Sequence, residues 1–477
     1  MRKRFLFPIV SLAFAGVTIY LGYFVQRSDF QTFITAYAAF FGLYVWVAFY
    51  QQKHFSPVQT RAMLWLGIGL RVLLLFSIPN LSDDYARFLW DGHLTVAGIH
   101  PFSHTPAYFI DNQFFPPGIT PELFAKLNSP GYYTVYPPVC QAVFALAIWL
   151  FPTSVLGGVF VIKLILLACE MGTIWILKQQ TAPLQPITRN FSIKTTFFGG
   201  KGGVGAVRCS LLYALNPLVI LEITGNCHFE GAMIFFLLAG MVAMHQGKII
   251  KGALWWALAT ASKLMPVLFL PILWRWLGWR KGLVFNAVFG IACLVLFAPI
   301  LVVLPNLLAS LDLYFRKFQF NASVYYLVRE IGLKITGWDI GALSGPLLGG
   351  VTLLGVLLIA WQTRRFSKSE FSNPEQNGTK LSGNLATALL FALFLYLSLS
   401  ATVQPWYLTI PLVLSFLTPW RFMVLWSGLA ALSYSHYMDG GMQENYGWIG
   451  LEYGLLWGFF FWELWRINVQ RAPLISS

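Results

Sequence analysis

Charge is what this 477-residue sequence has least of: 10% of its residues are Asp, Glu, Lys or Arg, against 57% hydrophobic. With a mean hydropathy of +0.65, too little polar surface remains to cover a water-soluble domain, which excludes one. Cysteine is scarce as well. The five, Cys140, Cys169, Cys209, Cys227 and Cys293, lie in or beside apolar runs without metal-type spacing, so neither a disulfide framework nor zinc is expected. Internal repeats and low-complexity tracts are missing. A phosphate loop is missing too: Gly199 to Gly205 is glycine-rich around Lys201, but Ala206 and Val207 follow where Lys-Ser/Thr would be required. The formal charge is +14, yet the basic residues are scattered over short loops, which argues against nucleic acid as a partner.

What is present is apolar runs. Blocks of roughly 15–23 residues recur from end to end, close to the ~20 that a helix needs to cross ~30 Å of hydrocarbon. Lipid leaves backbone groups no partner outside their own segment, so the blocks are expected to be helices. They fall at 5–25, 33–50, 62–79, 137–151, 155–178, 209–224, 231–246, 283–304, 345–362, 384–402, 406–418, 422–437 and 448–465, with a broken pair of short runs at 252–277. The expected fold class is an all-α polytopic membrane protein with about 12–14 transmembrane helices, a single integral domain over 1–477. The first block follows Arg2, Lys3 and Arg4 but is longer than a signal-peptide core and lacks a small-residue cleavage site, so it is expected to remain as the first span.

Basic residues then mark the cytoplasmic loops. These are Arg2 to Arg4, Lys53 with Arg61, 178–208, Lys248 with Lys251, Arg275 to Lys281, Arg364 to Lys368, Arg421 and Arg466, with 363–383 as a polar cytoplasmic linker. The N-terminus is thereby placed in the cytoplasm of a multi-pass inner-membrane protein, and 80–136, 225–230, 305–340, 402–406 and 438–447 face outward. Two full crossings between Pro137 and Lys178 would put the basic 178–208 loop on the wrong side, so one of them is expected not to cross. Lys263 and Pro266 interrupt the run at 252–277. Irregular backbone at membrane depth is tolerated only inside protein or beside a wet cavity, which makes this run a candidate wall of a site.

The outward segment 80–136 opens with Ser82, Asp83, Asp84, Tyr85, Ala86, Arg87, Phe88, Leu89, Trp90, Asp91 and Gly92. Ser82 is expected to cap a helix whose first turn holds Asp83 and Asp84, favourably placed for the helix dipole, with Gly92 or Gly98 as the stop. Asp84, Arg87 and Asp91 share one face at i, i+3 and i+7, and Arg87 can pair either carboxylate. Phe88 and Trp90 are expected to anchor the helix at the bilayer surface. Such a helix suits attack of an acceptor hydroxyl on an anomeric carbon whose leaving group is a lipid phosphate. A carboxylate takes the hydroxyl proton, and cations stabilise the departing phosphate. Asp84 is the expected base, Asp83 the fallback, and Asp91 orients Arg87 or binds a sugar hydroxyl. The competing reading is a capped, solvated helix start with an ordinary salt bridge. Asp83 and Asp84 could also bind a divalent cation, although so short an oxygen-ligand spacing is a weak signal for one.

Lys263 needs a partner, because an unpaired ammonium in an apolar run costs ~2.5–3.5 kcal/mol; a donor phosphate or a buried acid would serve. Arg316, Lys317, Arg329 and Lys334 lie in an outward loop against the positive-inside trend, and could grip phosphate, pyrophosphate or anionic lipid. His228 and Glu230 share an outward turn with Asn226 and could contact an acceptor or assist proton transfer, or be structural. Gln404, Trp406 and Tyr407 stand at another outward boundary, where Trp406 could stack on a sugar or anchor at the interface. Gly98 to Phe102 forms a turn holding His100, and Tyr136, Pro137 and Pro138 mark a helix start on the outer side.

Together these stretches resemble the bacterial membrane glycosyltransferases of the type-C superfamily, in particular the polyprenol-phosphate-mannose-dependent mannosyltransferase-like members. The matching pieces are Asp84 to Gly92, Gly98 to Phe102 and Tyr136-Pro137-Pro138. Looser matches are Asn216-Pro217, Gly225 to Glu230, Lys263 to Pro266 and Gln404 to Tyr407, in the family's order over most of the chain. The resemblance implies a multi-helix fold, an acidic residue in an early outward loop, a polyprenyl-phosphate sugar as donor, and usually inversion at the anomeric carbon. Carried over, Asp84 is the base. His100 stands where the family has Asn, Phe102 where it has Tyr, and Glu230 where Asp is more usual, which leaves sugar and acceptor open.

The expected activity is transfer of a mannose-like hexose from a polyprenyl-phosphate carrier to a lipid or glycan acceptor at an extracytoplasmic, periplasmic face. Asp84 and Asp83 are the catalytic candidates. Arg87, Asp91, His100, Tyr136, His228, Glu230, Lys263, Arg316 and Gln404 are the substrate-binding candidates. The alternatives are a transporter or flippase of lipid-linked sugars, against which the lack of a repeat counts, and a non-catalytic scaffold using the outward loop as a partner surface.

Overall fold

The computed structural model describes residues 2–51, 55–180, 209–316, 318–363 and 381–471. Lys53, the loop 181–208 with its glycine run, Lys317 and the linker from 364 to 380 lie outside them, as does the side chain of Arg316. Among the described residues there is no strand, only an isolated bridge between Phe320 and Thr402. The protein is an all-α polytopic membrane protein. Among the described residues, four helices are long and apolar enough to cross a bilayer unbroken: Phe30–Phe49, Val155–Lys178, Trp279–Leu301 and Gly341–Gln362. Other apolar blocks form shorter helices or break, and the pair Pro217–Gly225 and Glu230–His245 is bent by 110°.

The outer surface shows why lipid is required. Ile291, Leu294 and Val295 on one long helix, and Leu347, Leu353 and Leu354 on another, are each more than half exposed. An apolar surface of this extent is stable only against other apolar groups. The charges instead go inward: Arg71 and Glu170 form a fully buried pair at 2.7 Å, and Arg71 also donates to the carbonyls of Gly67 and Ala214. Both carbonyls take Nη1, while Nη2 is buried without a hydrogen-bond partner.

Helix α1 (Arg2–Tyr23) runs toward what becomes the site end, α2 (Phe30–Val45, prolonged by a π turn to Gln51) returns, and α3 (Pro57–Leu74) runs back. Ser56 starts α3 with a capping box, its hydroxyl accepting from Gln59 N–H while the Gln59 side chain accepts from Ser56 N–H. Asn80, just past α3, donates to Leu21 O at 3.0 Å and so ties the ends of α1 and α3 together. The 80–136 segment follows as α4 (Asp84–Val96), α5 (Pro106–Asp111) and α6 (Pro121–Phe124).

Next come α7 (Pro138–Leu150) and α8 (Val155–Lys178). With 13 residues α7 is too short to span, at about 20 Å. Lys163, two turns into α8, donates to the carbonyls of Leu74 and Ser77 at the end of α3. Helix α8 therefore begins at the site end and runs across, while α7 lies along α4 without crossing. That removes the conflict over the basic 178–208 loop. Asn216 and Pro217 then break the chain between α9 (Cys209–Ala214) and α10 (Pro217–Val219), which continues as a π turn over Ile220–Gly225. Helices α11 (Glu230–His245) and α12 (Ile249–Ser262) form an antiparallel hairpin whose turn carries Lys248.

The start of α4 differs from the expectation. Asp83 is the N-cap and makes no side-chain cap bond, whereas Ser82 Oγ accepts from Asp84 N–H at 3.3 Å. Gly92 does not stop the helix. A side chain there would meet Phe144 O at 2.5 Å, so Gly92 is what allows α4 to lie against α7. The stop is Gly98, at φ +76°, where glycine is the favoured residue. Phe88 and Trp90 are not bilayer anchors, since both are buried: Phe88 stacks on Phe144 and meets Tyr136 and Phe229 edge-on, and Trp90 packs on Phe109 and Phe124. The folded 106–124 region covers what sequence alone leaves facing the membrane surface.

Candidate active site

Four separate elements meet at one end of the bundle. The first turn of α4 supplies Asp84, the turn after the Ile220–Gly225 π segment supplies His228, α11 begins with Glu230, and α12 ends at Lys263. Each is placed by a local break in helix geometry. Cys227 adopts φ +66°, a left-handed conformation that costs a non-glycine residue of order 1–3 kcal/mol and is held only by surrounding contacts. Lys263 is extended at the α12 C-cap, ahead of Pro266 in the Met265–Phe269 3₁₀ segment. Gln404 precedes Pro405, which opens another 3₁₀ turn.

Asp84 Oδ1 accepts from Asn128 Nδ2 at 2.8 Å, and Oδ2 lies 3.7 Å from His228 Nε2. On its other side the His228 ring has Nδ1 3.3 Å from Glu222 Oε2. The ring also stacks on Trp406 with centroids 3.7 Å apart. Desolvation pushes the Asp84 carboxyl up, but the nearby His228 imidazole, with Asn128 and Lys263, outweighs it and holds the group below its ordinary value. For His228, desolvation works against the proton, yet Asp84 and Glu222 prevail and raise it to about 9. The ring thus stands between two acidic side chains.

Lys263 Nζ lies 3.0 Å from Glu230 Oε1 and 5.9 Å from the centre of the Tyr136 ring. The partner that its position demands is thus a buried acid. About a fifth of the Lys263 side chain stays exposed, and Glu230 Oε2 is buried without a hydrogen-bond partner. Gln404 Oε1 is in the same state. Tyr136 faces both charges of the site, Asp84 and Lys263, and burial with the Asp84 charge pushes its phenol well up.

Other candidates go elsewhere. Asp83 pairs with Arg27, whose guanidinium also lies over the Tyr437 ring, so Asp83 and Asp84 turn to different partners. Among the described residues no group of three or more His, Cys, Asp or Glu converges as a metal-ligand set. Arg87 pairs with Asp91 at 2.9 Å and donates to the carbonyls of Ser129 and Tyr132; Asp91 also accepts from Thr134 and Gln141. This buried pair fastens the 128–134 strap that carries Asn128 to Asp84. His100 contacts Pro299 O at 3.1 Å and accepts from Phe102 N–H, which ties its turn to α14 (Trp279–Leu301) and not to Asp84. Arg329 is held by Asp339 at 2.6 Å.

Glu222, Asn128, Tyr434 and Arg27 are site neighbours without a sequence signal strong enough to single them out. Glu222 had the best one: it is the only charged residue in the apolar run 209–224. An ionisable group at such a position is by default functional. A cavity of about 530 Å³ lined by Lys248, Ile249, Lys251, Leu254 and Val284 lies at the far end of the α11–α12 hairpin and contains no carboxylate.

The family described as Alpha-(1->6)-mannopyranosyltransferase, N-terminal domain, matches residues 198–278. Alpha-(1->6)-mannopyranosyltransferase A of Mycobacterium tuberculosis (strain ATCC 25618 / H37Rv) is 24% identical over 274 residues, 51% of this chain and 47% of the relative. The chain is similar to mannopyranosyltransferases. It spans about half the length of that relative. The family-matched segment contains Glu222, His228, Glu230 and Lys263, the part of the site that faces Asp84, while Asp84 itself precedes it.

Proposed function

We propose that this protein is a glycosyltransferase that moves a mannose-like hexose from a polyprenyl-phosphate carrier to a lipid or glycan acceptor on the extracytoplasmic face of an inner membrane. The observation that carries the reading is a carboxylate and an ammonium, Asp84 and Lys263, facing one space from two different elements at one end of a membrane bundle. The acceptor hydroxyl gives its proton to Asp84 as its oxygen bonds to the anomeric carbon. The bond from that carbon to the phosphate oxygen breaks with its electron pair, and Lys263 offsets the charge that develops on the departing phosphate. Glu230 Oε2 and Gln404 Oε1, buried and unpartnered, are acceptors for sugar hydroxyls. Arg316 remains a phosphate contact of the same proposal.

Charge supports this side of the membrane. Lys248 and Lys251 stand at the far end of the hairpin from Glu230 and Lys263, and basic loops favour the cytoplasm, which leaves the site outside and the N-terminus inside. Incubating membranes with radiolabelled polyprenyl-phosphate mannose tests the activity. A transferase releases free polyprenyl phosphate and labels an acceptor; relocation of intact donor would instead make the protein a flippase.

A further inference from the structure

Burying a carboxylate in an apolar segment demands compensation, and Glu222 has an unusual amount of it. It sits 2% exposed in the Ile220–Gly225 π turn. Tyr434 Oη donates to Oε1 at 2.7 Å, Asn226 Nδ2 donates to Oε2 at 2.9 Å, and His228 Nδ1 stands 3.3 Å from Oε2. The backbone closes the same loop, because His228 N–H donates to Glu222 O at 3.2 Å. Single π turns inside helices recur at functional sites, since the extra residue redirects side chains. Here it turns Glu222 toward His228, whose ring also faces Asp84.

We propose that Glu222 is a positioning residue which, acting through His228, keeps Asp84 aimed at the reacting centre. The inference rests on the reading of Asp84 as the base. The geometry is a line of alternating charge: Glu222 carboxylate, His228 imidazolium, Asp84 carboxylate, with Trp406 flat against the ring so that it cannot swing away. The Asp84 end has Ser82 Oγ at 3.5 Å from His228 Nε2, the charge of Lys263 acting on the carboxylate, and the phenols of Tyr136 and Tyr407 facing it; Tyr37 faces Glu222. At the Glu222 end stand Tyr434 and Asn226, and the Arg27–Asp83 pair closes the flank beside Tyr437. Removing the Glu222 charge loosens the proton on His228, whose pKa then falls from about 9. A neutral ring no longer holds the Asp84 carboxylate in place. The alkaline limb of the rate profile therefore moves to lower pH.

The test is the pH profile of polyprenyl phosphate release from radiolabelled polyprenyl-phosphate mannose by full-length protein in membranes. Glu222→Gln should move the alkaline limb down by about one pH unit or more, the size that loss of a neighbouring opposite charge gives. His228→Gln has no proton to lose there and should abolish that limb while lowering the rate throughout. The double variant should be no slower than His228→Gln alone, because the ring contacts both acids. A purely structural role for Glu222 would lower the rate at all pH values and leave the limb in place, which would overturn the proposal. Should Glu222→Gln fail to accumulate, His228→Gln decides, since an alkaline limb retained unchanged there also overturns it. Full activity of Asp84→Asn would mean that the base assignment is wrong; an inactive Asp84→Asn with an unmoved Glu222→Gln limb would sink only the inference about Glu222.

Discussion

Replacing Asp84 with Asn changes little but the proton-accepting ability of one side chain. The amide keeps the volume, and its oxygen can still accept from Asn128 Nδ2, now at 2.8 Å. What is lost is the 3.7 Å pairing with His228, made by a carboxylate that is 19% exposed. A partly solvated pair of this kind contributes at most about 1 kcal/mol, and His228 keeps Glu222 as a partner. Folding and membrane insertion should therefore be close to wild type. The rate should not. A positioned general base contributes ~10²–10⁴-fold, equivalent to about 2.7–5.4 kcal/mol of barrier. The assay is release of free polyprenyl phosphate from radiolabelled donor, normalised to the amount of protein in the membrane and its melting temperature in detergent. A variant with normal melting and a near-normal rate would refute the assignment, because no other carboxylate shares the position of Asp84 on α4: Asp83 is held by Arg27 and Asp91 by Arg87.

Three further outcomes are expected. Lys263→Met leaves Glu230 as an uncompensated buried acid and should lower stability by about 3–5 kcal/mol; the double variant Lys263→Met/Glu230→Gln should regain most of the melting temperature but not the KM for the donor, and a recovered KM would remove Lys263 from phosphate binding. Glu170→Ala strands Arg71 at the centre of the bundle and should likewise cost about 3–5 kcal/mol, read as a drop in melting temperature; an unchanged melt would show that the pair is not holding α3 to α8. Gly92→Ala forces a methyl into the space of Phe144 O and should cost about 1–3 kcal/mol by overpacking, so thermal unfolding indistinguishable from wild type would mean that α4 does not need its close seat on α7.

The membrane class, the helical state of nearly every apolar block and the places where helices break were all legible in the chain. They depend on local properties: apolar length, and proline at Pro138, Pro217, Pro266 and Pro405. Sequence also offered Asp84, His228, Glu230, Lys263 and Gln404 as polar residues beside those breaks. Partner choice was not legible. Arg87 could have paired with either carboxylate of its helix face, and only the seat of α4 against α7, with the 128–134 strap above it, gave it to Asp91 and left Asp84 to Asn128 and His228. The burial of Phe88 and Trp90, the failure of α7 to cross and the arrival of Glu222 beside His228 have the same origin. Hydrophobicity acts on any apolar surface without direction, so it fixes which segments enter lipid. Ion pairs and ring contacts act over a few ångströms, so they exist only once residues as distant in sequence as Asp84, Glu222, Lys263 and Trp406 have been packed against one another.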